Sequence, residues 1–313
     1  ATVSPRSAGL LQPERGVTRA TAPWWAMLGC VALAAVAAIA GGAGPIPNAS
    51  GVLVVEQRKG KFGEVFVVDE GDRRSLRFGS VEGDEQSALL RSQPGRPAME
   101  YVRATLQGVC WAPVRRVLVL GLGGGGMARL LRRHRRDVEV DAVEIDPVVV
   151  ALAHSHFQLP KDDAKLHVHI DDAGRFVDRA LVQPQPPRFD AIVVDAYGSD
   201  EYPKHLGTNV FFRKLQKLVR PSAGRVVLNL AVTEPTEERL LGEIRSVFSH
   251  CWRQVMPTDG NVVVVASDAP LDRKAAAREW VKTPSMLRWP PSSTKMEPTT
   301  WQSCRAATRL FGE

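Results

Sequence analysis

Apolar runs alternate with helix-like segments from residue 116 onward, and this rhythm is the strongest constraint on the fold. Six runs fit β-strands: 117–121, 138–143, 165–170, 189–195, 225–229 and 261–266. The intervening segments favour helices, among them 209–218 and 234–248. Strands that alternate with helices indicate βαβ units in a mainly parallel sheet, which binds ligands at the carboxyl ends of its strands. We therefore predict an α/β fold with a Rossmann-like, doubly wound sheet.

A different pattern precedes this sheet. Short alternating runs at 52–55, 64–69 and 74–78 are punctuated by glycines, which predicts a small antiparallel β-meander. A helix-like segment follows at 97–108, with Pro97 at its entry. The predicted organisation is a leader at 1–47, a β-meander plus helix subdomain at 48–108, a Rossmann-like ligand-binding domain at 109–270 and a basic tail of low periodicity at 271–313.

The leader contains an uncharged stretch, residues 24–43. At a rise of about 1.5 Å per residue it is long enough to span a bilayer core of about 30 Å, and its paired tryptophans suit a membrane interface. It also fits the apolar region of a cleaved targeting sequence. Two locations stay open: a membrane association through a single N-terminal span, or an organellar or secretory compartment after cleavage. The side of the membrane is also open, because basic residues flank the stretch on both sides.

Charge and cysteine content exclude several classes of protein. Of the net charge of +7, residues 1–50 carry +2, residues 271–313 carry +4 and the middle carries only +1. Residues 51–270 therefore have no large excess of basic residues, and nucleic acid is not expected as the main partner. The four cysteines lie far apart without zinc-like spacing, so we expect buried filler and no disulfide framework. His167 and His169 share a strand face but lack further ligands, and no metal is predicted.

Glycines follow the first strand of the predicted sheet. Residues 121–126 read GLGGGG and formally satisfy the pattern GxGxxG, which permits a tight turn and a close approach of the backbone to a ligand. Glu144 ends the second strand, 23 residues after Gly121. A carboxylate there can accept both hydroxyls of a ribose, although it can also serve as a charge at a helix N-terminus. The pattern suits dinucleotides and S-adenosyl compounds alike.

Acidic residues also follow the third and fourth strands. One of Asp171 and Asp172 can meet an adenine amino group or cap the next helix. Asp195 begins a segment that also contains Tyr197, Asp200 and Tyr202. Carboxylates after a buried strand cost solvation unless they bind a group such as an amine or face water. The segment is therefore interpreted as an acceptor site, with an ordinary polar loop as the alternative.

These motifs together resemble one family. GLGGGGM, VEIDP, the DDA step and FDAIVVDAYGSDEYPKHLGTNVFF are similar to the spermidine synthase-like branch of the class I S-adenosylmethionine-dependent transferases, over residues 50–268. The resemblance implies a sheet of the class I methyltransferase type and S-adenosylmethionine or its decarboxylated form as cosubstrate. It also implies a role for each site residue: Gly121, Gly123 and Gly124 beside the methionine portion, Glu144 at the ribose, Asp172 at the adenine and Asp195 as the base.

The chain departs from the family at two points. Gly126 stands where the aminopropyltransferases carry an acid in the glycine turn, and DAYGSDEYP replaces their compact DSSDP-type motif. Both changes remove charge or geometry that a polyamine reaction needs. The predicted reaction is methyl or aminopropyl transfer to an unknown small acceptor, and an amine would fit as this acceptor. Tyr197, Asp200 and Tyr202 would orient this acceptor.

Two other classes of function stay open. One is a non-catalytic, membrane-tethered scaffold that keeps the fold, and residues 24–43 would be its anchor. The other is an NAD(P)-dependent oxidoreductase, which ranks lower because no Tyr-x-x-x-Lys pattern accompanies the glycines. A homodimer or a subunit of a membrane complex is the expected assembly.

Overall fold

A computed structural model of the protein describes residues 51–196, 202–221, 223–230, 236–257, 260–270, 272, 276 and 301–304. The predicted membrane or targeting segment at 24–43 lies outside these residues. Within the described part of the chain, no helix has the length and apolar character that crossing a bilayer requires.

The first sheet is a four-stranded antiparallel meander. Its strands are β1 (Leu53–Gly60), β2 (Gly63–Glu70), β3 (Arg73–Phe78) and β4 (Glu85–Leu90), paired in that order. The first three confirm the predicted meander. The fourth was not predicted, because it begins with the polar residues Glu85, Gln86 and Ser87 and lacks a clear apolar alternation. Glu85 belongs to the sheet nonetheless, and its carboxylate forms an ion pair with the Arg73 side chain on β3.

A single buried helix, α1 (Glu100–Val109), leads from the meander to the second sheet. Every residue from 101 to 109 is buried. Its close approach to that sheet depends on Gly108, where a β-carbon would lie 2.8 Å from Val265 and 3.1 Å from Val227.

The second sheet confirms the predicted α/β architecture. Five strands run parallel in the order β9-β8-β5-β6-β7, and β11 and β10 extend the sheet beyond β9, with β11 antiparallel to both neighbours. The strands are β5 (Arg116–Leu120), β6 (Glu139–Glu144), β7 (Leu166–Ile170), β8 (Ala191–Val194), β9 (Arg225–Leu230), β10 (His250–Met256) and β11 (Asn261–Ser267). The helices are α2 (Gly126–His134), α3 (Pro147–His156), α4 (Ala173–Leu181), α5 (Asn209–Leu218) and α6 (Thr236–Arg245), with a 3-10 turn at Lys204–Leu206.

Apolar side chains cover both faces of this sheet. The core on one face is formed with α1 and α2, and the core on the other face with α4, α5 and α6. A third cluster joins α3 to the meander. The strands β5, β8 and β9 are buried on both sides, which is why they read as continuous apolar runs in the sequence.

The expectation that no cysteines are bridged is wrong for one pair. Cys251 on β10 and Cys304 form a disulfide with a Cα–Cα distance of 5.4 Å. Residues 302–303 of the predicted tail form a short strand, β12, beside β10, and Trp301 is buried against Trp111. The sequence separation of 53 between the two cysteines concealed this pairing. Cys110 is buried, as expected of a small apolar filler.

Candidate functional site

The predicted site residues follow four parallel strands whose carboxyl ends meet at one edge of the sheet. Gly121 follows β5, Glu144 ends β6, Asp172 comes two residues after β7 and Asp195 follows β8. Parallel strands bring these ends together, so residues up to 74 positions apart in the chain lie along one edge.

The glycine turn needs its glycines for backbone reasons. Gly121, Gly123 and Gly125 have φ values of +95°, +51° and +73°, in the left-handed region that L side chains rarely adopt. The turn also receives a contact from the first sheet, because the Gly124 N–H donates to Ser87 Oγ over 2.9 Å. Strand β4 therefore forms one wall of the turn.

Glu144 lies under this turn and accepts hydrogen bonds from it. Its Oε2 accepts from the N–H groups of Leu122 (3.0 Å) and Gly123 (3.3 Å), and its Oε1 accepts from that of Asp146 (3.0 Å). Burial raises the pKa of Glu144, and these backbone N–H groups oppose the rise by stabilising the carboxylate. These hydrogen bonds hold the Glu144 side chain beside the glycine turn. Asp146 caps α3, because its side chain accepts a hydrogen bond from the Val148 N–H.

Asp172 performs the capping role that the sequence left open. Its Oδ1 accepts from the Arg175 N–H over 2.9 Å at the start of α4, and its Oδ2 lies 3.3 Å from Nε2 of His205. Asp171 pairs with Arg179 at 2.5 Å. The adenine contact of Asp172 stays a prediction.

A groove of about 480 Å³ is lined by Ile145 and Asp146, which directly follow Glu144 in the chain. Its walls are the residues after β6, the end of β7 and the tip of the β1–β2 hairpin at residues 59–61. Ile145 and Ile170 contribute apolar surface, and Ile170 is 58% exposed. Lys59, Lys61, Asp171 and Arg175 also line it. Apolar surface beside charged groups suits a flat base attached to a hydroxylated sugar.

Asp195 is a second carboxylate of the site whose pKa is raised. It is half-buried, and desolvation raises its pKa to about 6, although hydrogen bonds from Asn229 and Tyr101 oppose the rise. The Asn229 amide donates to its Oδ1 over 2.8 Å. A cavity of about 20 Å³ lies between Asp195, Tyr101 and the glycine turn. Among the described residues no cation pairs with Asp195, so its charge is supported by neutral donors alone.

The predicted acceptor residues are only partly described. Tyr197 and Asp200 lie outside the described residues. Tyr202 is buried, its hydroxyl donates to the Leu206 carbonyl over 3.3 Å, and burial together with the charge of Asp195 raises its pKa. Within the described ranges no cluster of His, Cys, Asp and Glu has the composition of a metal site.

Sequence reasoning missed two partners of Asp195. Tyr101 lies on α1, far earlier in the chain, and nothing in the local sequence marks it. The sequence did contain a signal for Asn229, which is a polar residue that follows the apolar run in strand β9, near its carboxyl end.

Comparison with known proteins gives this arrangement a family. Residues 105–258 match the spermine/spermidine synthase domain. A polyamine aminopropyltransferase of Vibrio vulnificus is 29% identical over 230 residues, which cover 72% of this chain and 76% of that protein. The chain is similar to the spermidine synthase-like branch of the S-adenosylmethionine-dependent transferases. Methyltransferases are also among its relatives: an eEF1A lysine and N-terminal methyltransferase homolog of Drosophila melanogaster is 28% identical, over 53% of this chain and 25% of that protein.

Solved structures of both kinds share the fold of this spermidine synthase-like chain. A probable spermidine synthase from Corynebacterium glutamicum superimposes with a TM-score of 0.59 at 20% identity, covering 75% of this chain and 87% of that one. Human methyltransferase-like protein 13, in complex with SAH, gives a TM-score of 0.56 at 22% identity, covering 64% of this chain and 97% of that one.

Proposed function

We propose that this transferase moves an alkyl group from an S-adenosyl cosubstrate to an amine, with Asp195 as the base. The observation that carries the proposal is a half-buried carboxylate beside the glycine turn, whose partners among the described residues are the neutral groups of Asn229 and Tyr101. A protonated amine supplies the positive charge that this carboxylate lacks. Proton removal then has a group of suitable pKa in direct contact with the nucleophile.

We further propose that the cosubstrate binds along the same edge of the sheet. We assign its methionine portion to the backbone of Gly121, Gly123 and Gly124, its ribose hydroxyls to Glu144 and its adenine to the groove beside Ile145 and Ile170, with Asp172 at the amino group. The absence of side chains in the turn and the position of the Glu144 carboxylate support this assignment. Tyr202 would orient the acceptor through its apolar ring.

The reaction is an in-line displacement. Asp195 takes a proton from the ammonium of the acceptor, and the freed lone pair attacks the carbon attached to the sulfonium. The N–C bond forms as the C–S bond breaks, and the sulfur keeps the electron pair of the broken bond. The work of the protein is to align nitrogen, carbon and sulfur and to hold the base.

Methyl transfer from S-adenosylmethionine is the form that the glycine turn favours. Helix α2 begins at Gly126, and its first turn contains no acidic residue that would pair with the free amine of the decarboxylated cosubstrate. Aminopropyl transfer is the second candidate, supported by the polyamine aminopropyltransferases among the relatives.

Calorimetric binding to the full chain tests the proposal first. We expect S-adenosylmethionine to bind more tightly than its decarboxylated form, and NAD not to bind. Transfer of a labelled methyl group to a panel of amines follows, with Asp195→Asn losing at least about 100-fold in turnover while still binding the cosubstrate. Asp178→Asn, an exposed acid on α4, is the matched control. A folded protein that binds none of the three ligands would favour the scaffold hypothesis instead.

A further inference from the structure

Behind Asp195 lies a second amide that touches neither the glycine turn nor the groove. Asn261 is the first residue of β11, and its Nδ2 donates to Oδ1 of Asn229 over 2.7 Å. The Nδ2 of Asn229 in turn donates to Asp195 over 2.8 Å. Asn229 and Asn261 are only 3% and 5% exposed, so water does not compete for these hydrogen bonds.

The topology of the sheet explains how these three residues meet. Strands β8 and β9 are parallel, so Asp195 and Asn229 both lie near carboxyl ends. Strand β11 runs antiparallel to β9, with Val262 opposite Leu230. The first residue of β11 therefore lies at the edge where the other two strands end.

An asparagine amide has nearly the same shape in its two orientations, and its partners decide which end faces which group. If Asn229 turned over, its carbonyl oxygen would face the Asp195 carboxylate and repel it. Asn261 opposes this, because its Nδ2 donates to the Asn229 oxygen over 2.7 Å and so favours the orientation in which that oxygen faces Asn261.

We propose that Asn261 is a positioning residue for the base: it fixes the orientation of Asn229, which then directs an N–H group at the Asp195 carboxylate. This inference rests on the proposed function of Asp195. Among the described residues, the other titratable groups that face Asp195 are Tyr101 from α1 and Tyr202 from the segment before the 3-10 turn, and Arg239 on α6 acts on Tyr202. Neither tyrosine contributes a positive charge, so the orientation of the Asn229 amide matters for the ionised base.

The test measures the titration of Asp195 directly in the full-length protein. Carboxyl ¹³C resonances of labelled aspartates are followed against pH, and the Asp195 signal is the one that Asp195→Asn removes. We expect Asn261→Leu to raise the titration midpoint of Asp195 by about one pH unit, a tenfold change in proton affinity. The reason is that the Asn229 amide can then turn over, which removes the hydrogen bond that it donates to Asp195. Asn261→Asp, which is isosteric, is expected to raise it at least as far.

Ser267→Ala is the matched control, since Ser267 is a buried polar residue at the other end of β11 and bonds to the Gly224 carbonyl. It should leave the midpoint unchanged. An unchanged midpoint in both Asn261 variants would overturn the inference, and so would an equal shift in all three variants, which would indicate general loosening.

The pH dependence of kcat/KM separates this inference from the proposed function. Its acid limb should move with the midpoint in Asn261→Leu. If the midpoint moves and the acid limb stays, the positioning role of Asn261 holds and the base role of Asp195 fails.

Discussion

A β-carbon at Gly121 would lie 2.0 Å from the carbonyl oxygen of Asp195. The end of β5 and the end of β8 thus touch through their backbones, and the Asp195 N–H also donates to the Leu120 carbonyl over 2.8 Å. Gly121 is therefore required by the segment that carries the base and not only by a ligand. This contact fixes the separation between the glycine turn and Asp195.

Gly121→Ala should damage both stability and binding. The φ of +95° and the contact with Asp195 both oppose a side chain, and we expect a loss of at least about 2 kcal/mol in the free energy of unfolding, together with loss of cosubstrate binding. Urea unfolding and calorimetry measure the two effects. Gly242→Ala on α6 is the control, because no atom lies within 4 Å of its added carbon and helix propensity favours alanine by up to about 1 kcal/mol. Equal losses in both variants would contradict the role of Gly121.

Glu144→Gln should weaken cosubstrate binding by about 10- to 100-fold. The carboxylate accepts three backbone N–H groups and keeps capacity for ribose hydroxyls, whereas an amide turns one of its two ends into a donor. Calorimetry with S-adenosylmethionine measures the change. Glu139→Gln, at the opposite end of β6 and paired with Arg116, should bind as the wild type does. Unchanged affinity in Glu144→Gln would remove this residue from the ribose site.

Asp195→Asn should make the protein more stable at neutral pH. The pKa of Asp195 in the folded protein is about 6, above its ordinary value of 3.8, so the fold favours the protonated form. Stability from this group is present below about pH 4 and is lost as pH rises through about 6. Removing the charge should therefore raise the free energy of unfolding by about 3 kcal/mol at pH 7.5, with little gain at pH 4.

Urea unfolding of both proteins at the two pH values measures this difference. Asp178→Asn, an exposed acid that pairs with Lys214, should show no comparable dependence on pH. A gain for Asp195→Asn that is the same at pH 4 and pH 7.5 would show that charge burial is not its cause.

Reduction of the Cys251–Cys304 disulfide should lower stability by about 4 kcal/mol. The bond closes a loop with a sequence separation of 53 residues, and cross-linking restricts the unfolded chain. Trp301 is buried beside Trp111, so its fluorescence should report release of this segment. Unfolding with and without reductant measures the effect. The double variant Cys251→Ser, Cys304→Ser should have the stability of the reduced protein, and reductant should not change it. A wild-type protein whose stability does not change with reductant would contradict the prediction.

The parallel strands β5, β8 and β9 were predictable because both of their faces are covered, which demands continuous apolar runs. Strands β4 and β10 were not predictable in this way. They lie at or near the edges of their sheets, where polar residues such as Gln86 and Arg253 are tolerated, and their sequences lose the apolar signature.

Site residues at strand ends were likewise visible in the sequence, but their partners were not. Asp195 follows an apolar run and can be located by that alone, whereas Tyr101 meets it only through the packing of α1. Arg225 shows the same limit. It reads as the charged start of a strand, yet it is fully buried and donates to the carbonyls of Gly108, Ala112 and Asp190, and burial lowers its pKa to about 10.

The antiparallel course of β11 has a practical consequence for anyone who prepares a shortened version of this protein. The segment that matches the family ends at residue 258 and begins at residue 105. A fragment cut at those limits would keep the glycine turn, Glu144 and Asp195, and its sequence alone would not reveal that the site is incomplete. It would lack Ser87 and Tyr101 before the first cut and Asn261 after the second. Inactivity of such a fragment would therefore say nothing about the chemistry of the whole chain.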